Sequence, residues 1–281
     1  MTPPLLLVGH GTRAAEGVAE FTRFVDRLAA RLPVDVAGGF IELSSPPLTD
    51  AVAGLYAAGH RRVAAVPLVL VAAGHGKGDI PGALARESVR HPGFSYAYGR
   101  PLGPHPGLLT LLAERLGDAG ADTAVLLVGR GSTDPDANAE VCKVARLLWE
   151  GRGIGAVETA FVSLARPGVA EGLERCRLLG FRRIVVLPYF LFPGVLPDRV
   201  ASQARQYGHP ELEIRTAPVI GDCDGLADLV VERYEEALAG DIRMNCDTCV
   251  YRISMPGFED RVGAPQLPHH HPDDHAHDHV H

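Results

Sequence analysis

Three side chains have the chemistry to hold a metal ion or move a proton: His10 in Gly9-His10-Gly11, Glu42 after Phe40-Ile41, and His75 in Ala72-Ala73-Gly74-His75-Gly76-Lys77-Gly78-Asp79. Neutral imidazole suits first-row divalent ions, and a carboxylate can ligate or accept a proton. Taken singly, each has an ordinary explanation. A histidine after a strand is often a loop residue, and a glutamate at a strand end is commonly solvated or caps a helix. Two histidines and a carboxylate brought to one sheet edge point instead to metal or acid–base chemistry.

An internal repeat singles out the same three positions. Leu6-Leu7-Val8-Gly9-His10-Gly11-Thr12 recurs 120 residues later as Leu126-Leu127-Val128-Gly129-Arg130-Gly131-Ser132. Phe40-Ile41-Glu42-Leu43 recurs as Phe161-Val162-Ser163-Leu164, and Arg61-Arg62-Val63 as Arg182-Arg183-Ile184, both displaced by 121. Ordered matches at one displacement indicate a duplicated domain. His10 then faces Arg130, Glu42 faces Ser163, and His75 faces Val195 with one residue gapped. A single site built mainly by the first copy is the economical reading.

The elements that must position these residues read as alternating strands and helices, an α/β fold with parallel sheets covered on both faces. The first copy predicts strands near Leu5–Gly9, Val34–Phe40, Arg62–Val71 and Phe94–Tyr98. Helices fit near Ala14–Arg31, Leu48–Gly59, Ile80–Arg90 and His105–Leu116. The second copy predicts strands near Ala124–Gly129, Ala156–Val162, Arg183–Leu191 and Glu211–Thr216. Ligands of such sheets bind beyond the carboxyl ends of the strands, where His10, Glu42 and the His75 loop fall. The domains are expected at 1–121 and 122–240, followed by a largely disordered tail at 241–281.

Gly9-His10-Gly11-Thr12-Arg13-Ala14 also fits GxGxxA, a dinucleotide fingerprint, but the fingerprint wants an acid about twenty residues onward near the end of the second strand, and this strand's terminal acid, Glu42, comes later. No nucleotide is expected. The glycines can instead let the backbone approach an anionic ligand.

Composition narrows the classes further. The 281 residues are 46% hydrophobic and 22% charged, enough for two domain cores, and the net charge of −7 argues against nucleic acid. Apolar runs are too short to cross a bilayer and Met1–Leu7 lacks the basic start of a signal peptide, so a cytoplasmic, non-membrane protein is expected. Five cysteines, two in Cys246-Asp247-Thr248-Cys249, suit reduced thiols or metal ligands better than a secreted disulfide framework. Seven of the thirteen histidines close the chain: His269, His270, His271, His275, His277, His279 and His281. With their interleaved aspartates they read as a reservoir or delivery arm for divalent cations.

Gly9-His10-Gly11 after the first strand, Phe40-Ile41-Glu42 after the second, and the His75 loop running into Asp79-Ile80-Pro81 resemble the CbiX and SirB sirohydrochlorin chelatases. The resemblance spans about residues 4–240. It implies two Rossmann-like chelatase domains with the active site between them, His10 and His75 as the metal-binding and catalytic pair, and ATP-independent insertion of a divalent metal into sirohydrochlorin. Met244-Asn245-Cys246-Asp247-Thr248-Cys249 and the histidine-rich end resemble the long cobaltochelatases. Those features favour Co²⁺, in the anaerobic-type route to cobalamin, over Fe²⁺ or Ni²⁺. In that family the cysteine motif accompanies an iron–sulfur centre. A four-iron cluster usually takes four thiolates, so Cys142, Cys176, Cys223 or a second chain would have to add to Cys246 and Cys249. A zinc clip or free thiols stay open.

On this reading Glu42 assists proton removal, and Arg13, Arg130, Ser132 and Thr133 meet the ring's carboxylates. Whether the chain acts as monomer or homodimer is left open by sequence. The competing functions are a sirohydrochlorin ferrochelatase and, from another class, a metal-storage protein or metallochaperone.

Overall fold

A computed structural model describes residues 2–241, 251, 254 and 259–264. The first copy runs β1 (Leu5–Gly9), α1 (Ala15–Arg31), β2 (Val36–Phe40), α2 (Leu48–Ala57), β3 (Arg62–Pro67), a π-helical turn (His75–Asp79), α3 (Ile80–Arg90), β4 (Ser95–Tyr98) and α4 (Pro106–Leu116). The second runs β5 (Thr123–Gly129), α5 (Pro135–Trp149), β6 (Ala156–Phe161), α6 (Val169–Leu178), β7 (Arg183–Pro188), α7 (Val195–Tyr207), β8 (Glu213–Thr216) and α8 (Asp224–Ala239). None of the helices described is long and apolar enough to cross a membrane.

Two four-stranded parallel sheets result, ordered β2-β1-β3-β4 and β6-β5-β7-β8. The central strands β1 and β5 are buried along their whole length, which is why their sequences are unbroken apolar runs rather than alternating ones. The chain leaves β1 toward β2 on one side and β3 toward β4 on the other. The loops that follow β1 and β3 therefore part and open a crevice at the strands' carboxyl ends.

Strand starts fall within two residues of expectation, but β3 and β7 end early, at Pro67 and Pro188 rather than Val71 and Leu191. Leu68 is the last to bond to its neighbour, its N–H donating to Val8 O at 2.8 Å, and Tyr189 N–H does the same to Val128 O at 2.8 Å. The residues beyond remain apolar because they wall a cleft, so hydrophobicity outlasts the strand.

Three apolar clusters hold the layers. One lies outside the first sheet under α2 and α3, and one outside the second sheet under α6 and α7. The third is shared, joining the inner faces of both sheets through α1, α4, α5 and α8. Within it the last helices cross over: α8 packs on β3 of the first sheet and α4 on β7 of the second. Polar ties reinforce the exchange. Arg233 of α8, 1% exposed, donates to the carbonyls of Pro101 and Leu102 at 3.1 Å. Tyr234 Oη donates to Pro3 O at 2.6 Å, and Arg115 of α4 to Ile220 O at 2.6 Å. The two halves thus share one core, with a cleft between them.

Candidate metal centre and cleft

Each candidate ligand is delivered by the end of a strand. Gly9 closes β1 and presents His10, the chain leaving β2 presents Glu42, and the π-helical turn after β3 presents His75. Glu42 is pinned beside His10 because its N–H donates to the His10 carbonyl at 3.1 Å. Gly11 makes this approach feasible: its φ is +107° and a Cβ there would sit 1.9 Å from the Glu42 carbonyl oxygen. Gly131 repeats the arrangement with a φ of +88° and 1.8 Å to the Ser163 carbonyl. At both places the space a side chain would take is filled by the chain's own backbone.

His10 Nε2 lies 2.8 Å from His75 Nε2 and 3.0 Å from Glu42 Oε1. The three ligand atoms fall within 4.8 Å of one another, and no other such group occurs among the described residues. The far nitrogens are engaged elsewhere. His75 Nδ1 is 2.7 Å from Asp79 Oδ2, so Nδ1–H donates to that carboxylate and the Nε2 lone pair is left facing His10. His10 Nδ1 is 3.2 Å from the Gly11 carbonyl, which accepts from it in the tautomer that leaves Nε2 unprotonated. In that tautomer both Nε2 lone pairs are available to a divalent ion. Metal–imidazole bonds of about 2.1 Å require only a small opening of this pair. Glu42, 40% exposed at its side chain, can reach both the ion and water.

The turn carrying His75 is anchored to the other half. Lys77 Nζ reaches Asp134 Oδ2 at 2.7 Å and Asp136 Oδ2 at 3.0 Å, with all three side chains at most 9% exposed. Burial pulls the Lys77 ammonium down, but hydrogen bonds and charge from Asp134 and Asp136 leave it raised overall. Ala72 N–H donates to buried Glu140 Oε2 at 2.9 Å, and Tyr98 Oη donates to Gly76 O at 2.7 Å. A π-helical turn is uncommon and recurs at functional sites.

Above the pair opens a cleft of about 600 Å³ between the halves, within the range of small-molecule sites. Its walls are largely apolar. Arg13, Arg130, Ser132 and Thr133, picked from sequence, all line it. Arg130 occupies in the second half the place of His10; burial lowers its guanidinium from the ordinary value, opposed by the charge of Glu42. Ser132 also has a local duty, its Oγ accepting from Asp134 N–H at 3.0 Å at the start of α5. Asp79, Lys77 and Arg199 escaped the sequence reading, although Arg199 also lines the cleft. Asp79 carried a signal, four residues after His75. The acids of Lys77 did not, since they lie 57 and 59 residues away.

Cys246, Cys249 and the seven terminal histidines, His269, His270, His271, His275, His277, His279 and His281, lie outside the described residues. Of the remaining cysteines, Cys176 is wholly buried in the apolar cluster under α6 and α7, its thiol pushed up to about 12 chiefly by burial. Cys142 is exposed and Cys223 half-buried, and neither joins a metal-ligand group among the described residues.

Known proteins share this architecture. Sirohydrochlorin cobaltochelatase of Priestia megaterium is 38% identical over 264 residues, covering 89% of this chain and 85% of that protein. Sirohydrochlorin ferrochelatase of the same organism is 32% identical over 243 residues, covering 84% and 90%. The structure of SirB from Bacillus subtilis with Fe³⁺ superposes with a TM-score of 0.75 at 27% identity, covering 86% of this chain and 97% of that one. The CbiX family model matches twice, over residues 4–119 and 124–237. One such match falls on each sheet and its helices, and on that ground the chain belongs to the CbiX family.

Proposed function

We propose that this protein is a sirohydrochlorin cobaltochelatase, inserting Co²⁺ into the ring without ATP. The observation that carries the reading is the His10–His75 pair, 2.8 Å apart at Nε2 with Glu42 Oε1 3.0 Å from His10, at the wall of a cleft sized for a small molecule. The metal and the tetrapyrrole are both substrates. Inserting the ion requires it to shed water and two pyrrole N–H protons to leave. His10 and His75 hold the ion on one face of the ring; Asp79 keeps His75 in the tautomer that ligates. Glu42 accepts the two pyrrole protons in turn and, being half-exposed, passes each to water before taking the next. Arg13, Arg130 and Arg199, with Ser132 and Thr133, take the carboxylates on the ring's rim. The division into 1–121 and 122–240, with 241–281 appended, belongs to this reading, as does a delivery role for the terminal histidines.

Iron is the second reading, favoured by the 32% identity to a ferrochelatase over a comparable span. Imidazole and carboxylate donors accept either ion, so the supply of metal as well as the site decides the product. An anaerobic assay of sirohydrochlorin with Co²⁺, Fe²⁺ and Ni²⁺ in parallel, followed by the ring's absorption, tests both. Metallation with Co²⁺ supports the proposal, faster turnover with Fe²⁺ supports the second reading, and an unchanged ring spectrum supports a metallochaperone.

A further inference from the structure

Resting on the tetrapyrrole reading of the cleft, we propose that Leu43 and Leu164 are a matched pair of substrate-gripping residues, one contributed by each half. Both leucines have left-handed backbone, with φ of +62° and +60°. In each case the flanking residues are bridged by a short bond: Ser44 N–H donates to Glu42 O at 2.7 Å, and Ala165 N–H to Ser163 O at 2.7 Å. A positive φ enclosed by a bond from residue i+2 to residue i is a γ-turn of the rare, strained kind. Glycine or asparagine would adopt it readily, whereas a branched apolar side chain is disfavoured there.

The strain is not relieved by burial. Leu43 is 47% exposed and Leu164 38% exposed, and both line the cleft. In the free protein each residue is disfavoured by its backbone and again by its hydration. Such outliers persist where the surroundings enforce them and a ligand uses them. The enforcement is visible: Gly11 and Gly131 pack on the carbonyls of Glu42 and Ser163, the first residue of each turn. Ser44 Oγ donates to Thr12 O at 2.6 Å, and Ser163 Oγ to Arg130 O at 3.0 Å. The ligand that suits two exposed leucines beside a rim of arginines is flat and apolar in its centre and anionic at its edge, as a carboxylated tetrapyrrole is. Leu43 directly follows Glu42, so its grip on the ring also sets the ring's distance from the proton acceptor.

The test compares full-length Leu43→Gly, Leu164→Gly, Leu43→Asn and Leu43→Met proteins with wild type, reading unfolding midpoint, Co²⁺ binding, and KM and kcat for sirohydrochlorin. Glycine and asparagine fit the backbone, so the expected result is an unfolding midpoint at or above wild type, unchanged Co²⁺ affinity, and a KM for sirohydrochlorin raised about tenfold. Leu43→Met, which restores apolar contact, should keep KM within about threefold. Unchanged KM in both glycine variants while wild type turns over would overturn the grip alone. A wild-type protein that binds Co²⁺ but leaves sirohydrochlorin unbound would overturn the grip together with the chelatase reading.

Discussion

Lys77 Nζ lies 2.7 Å from Asp134 Oδ2, joining the turn that presents His75 in the first half to the start of α5 in the second. With Asp136 at 3.0 Å the lysine faces two carboxylates that have almost no access to water. Removing one member of a buried ion group strands the others, at about 3–5 kcal/mol. Lys77→Met should lower stability in urea by that order and weaken Co²⁺ binding as the His75 turn loosens. A variant as stable as wild type would show that the carboxylates find water instead.

In the proposed metal site Asp79 acts only through His75, whose Nδ1 is 2.7 Å from its Oδ2. Loss of such a partner typically weakens metal affinity by about 10–100-fold. Asp79→Ala should fall in that range for Co²⁺, with KM for the tetrapyrrole little changed. His75→Ala should lose both measurable Co²⁺ binding and turnover while remaining folded. Full turnover by His75→Ala would remove it from the site.

Glu140 supplies a pH dependence. Burial raises its carboxyl from 4.5 to about 7, the Ala72 amide and the lysines Lys77 and Lys143 pulling it down and Asp136 pushing it up. A carboxyl that holds its proton more tightly when folded stabilises the fold fully below about pH 4.5 and loses that contribution as pH rises through about 7. By linkage the loss is about 3 kcal/mol. Glu140→Gln keeps an acceptor for Ala72 and removes the titration. Its stability in excess of wild type should therefore grow between pH 5 and 8, measured by urea unfolding at each pH; a constant difference would contradict the buried carboxyl.

The exchange of last helices predicts how the halves behave apart. A fragment of residues 1–121 retains α4 but lacks α8, which covers β3. It is expected to aggregate or to pair with a second copy whose α4 takes that place, because the halves share one template. Analytical ultracentrifugation decides this, and a soluble folded monomer would show that the crossing helices are dispensable.

The α/β pattern, the duplication and the strand starts were legible because buried parallel strands leave continuous apolar runs and the repeat displaces them by 120 or 121 residues. His10, Glu42 and His75 were legible as the positions where the copies differ in chemistry while their neighbours agree. The ends of β3 and β7 were not, since the walls of an apolar cleft and the interior of a sheet are written in the same residues. The π-helical turn at His75 leaves no separate trace, because a one-residue change in helical hydrogen bonding alters no composition.

By itself, then, the sequence determined which residues are candidates for the chemistry and at which strand ends they lie, through local periodicity and the comparison of two copies. Only the tertiary structure decided that Nε2 of His10 and Nε2 of His75 face each other at 2.8 Å, that Lys77 finds its acids in the other half, and that two leucines are held in strained turns at the cleft. Those relations depend on how two sheets and their exchanged helices pack, and no spacing along the chain encodes a distance across a cleft.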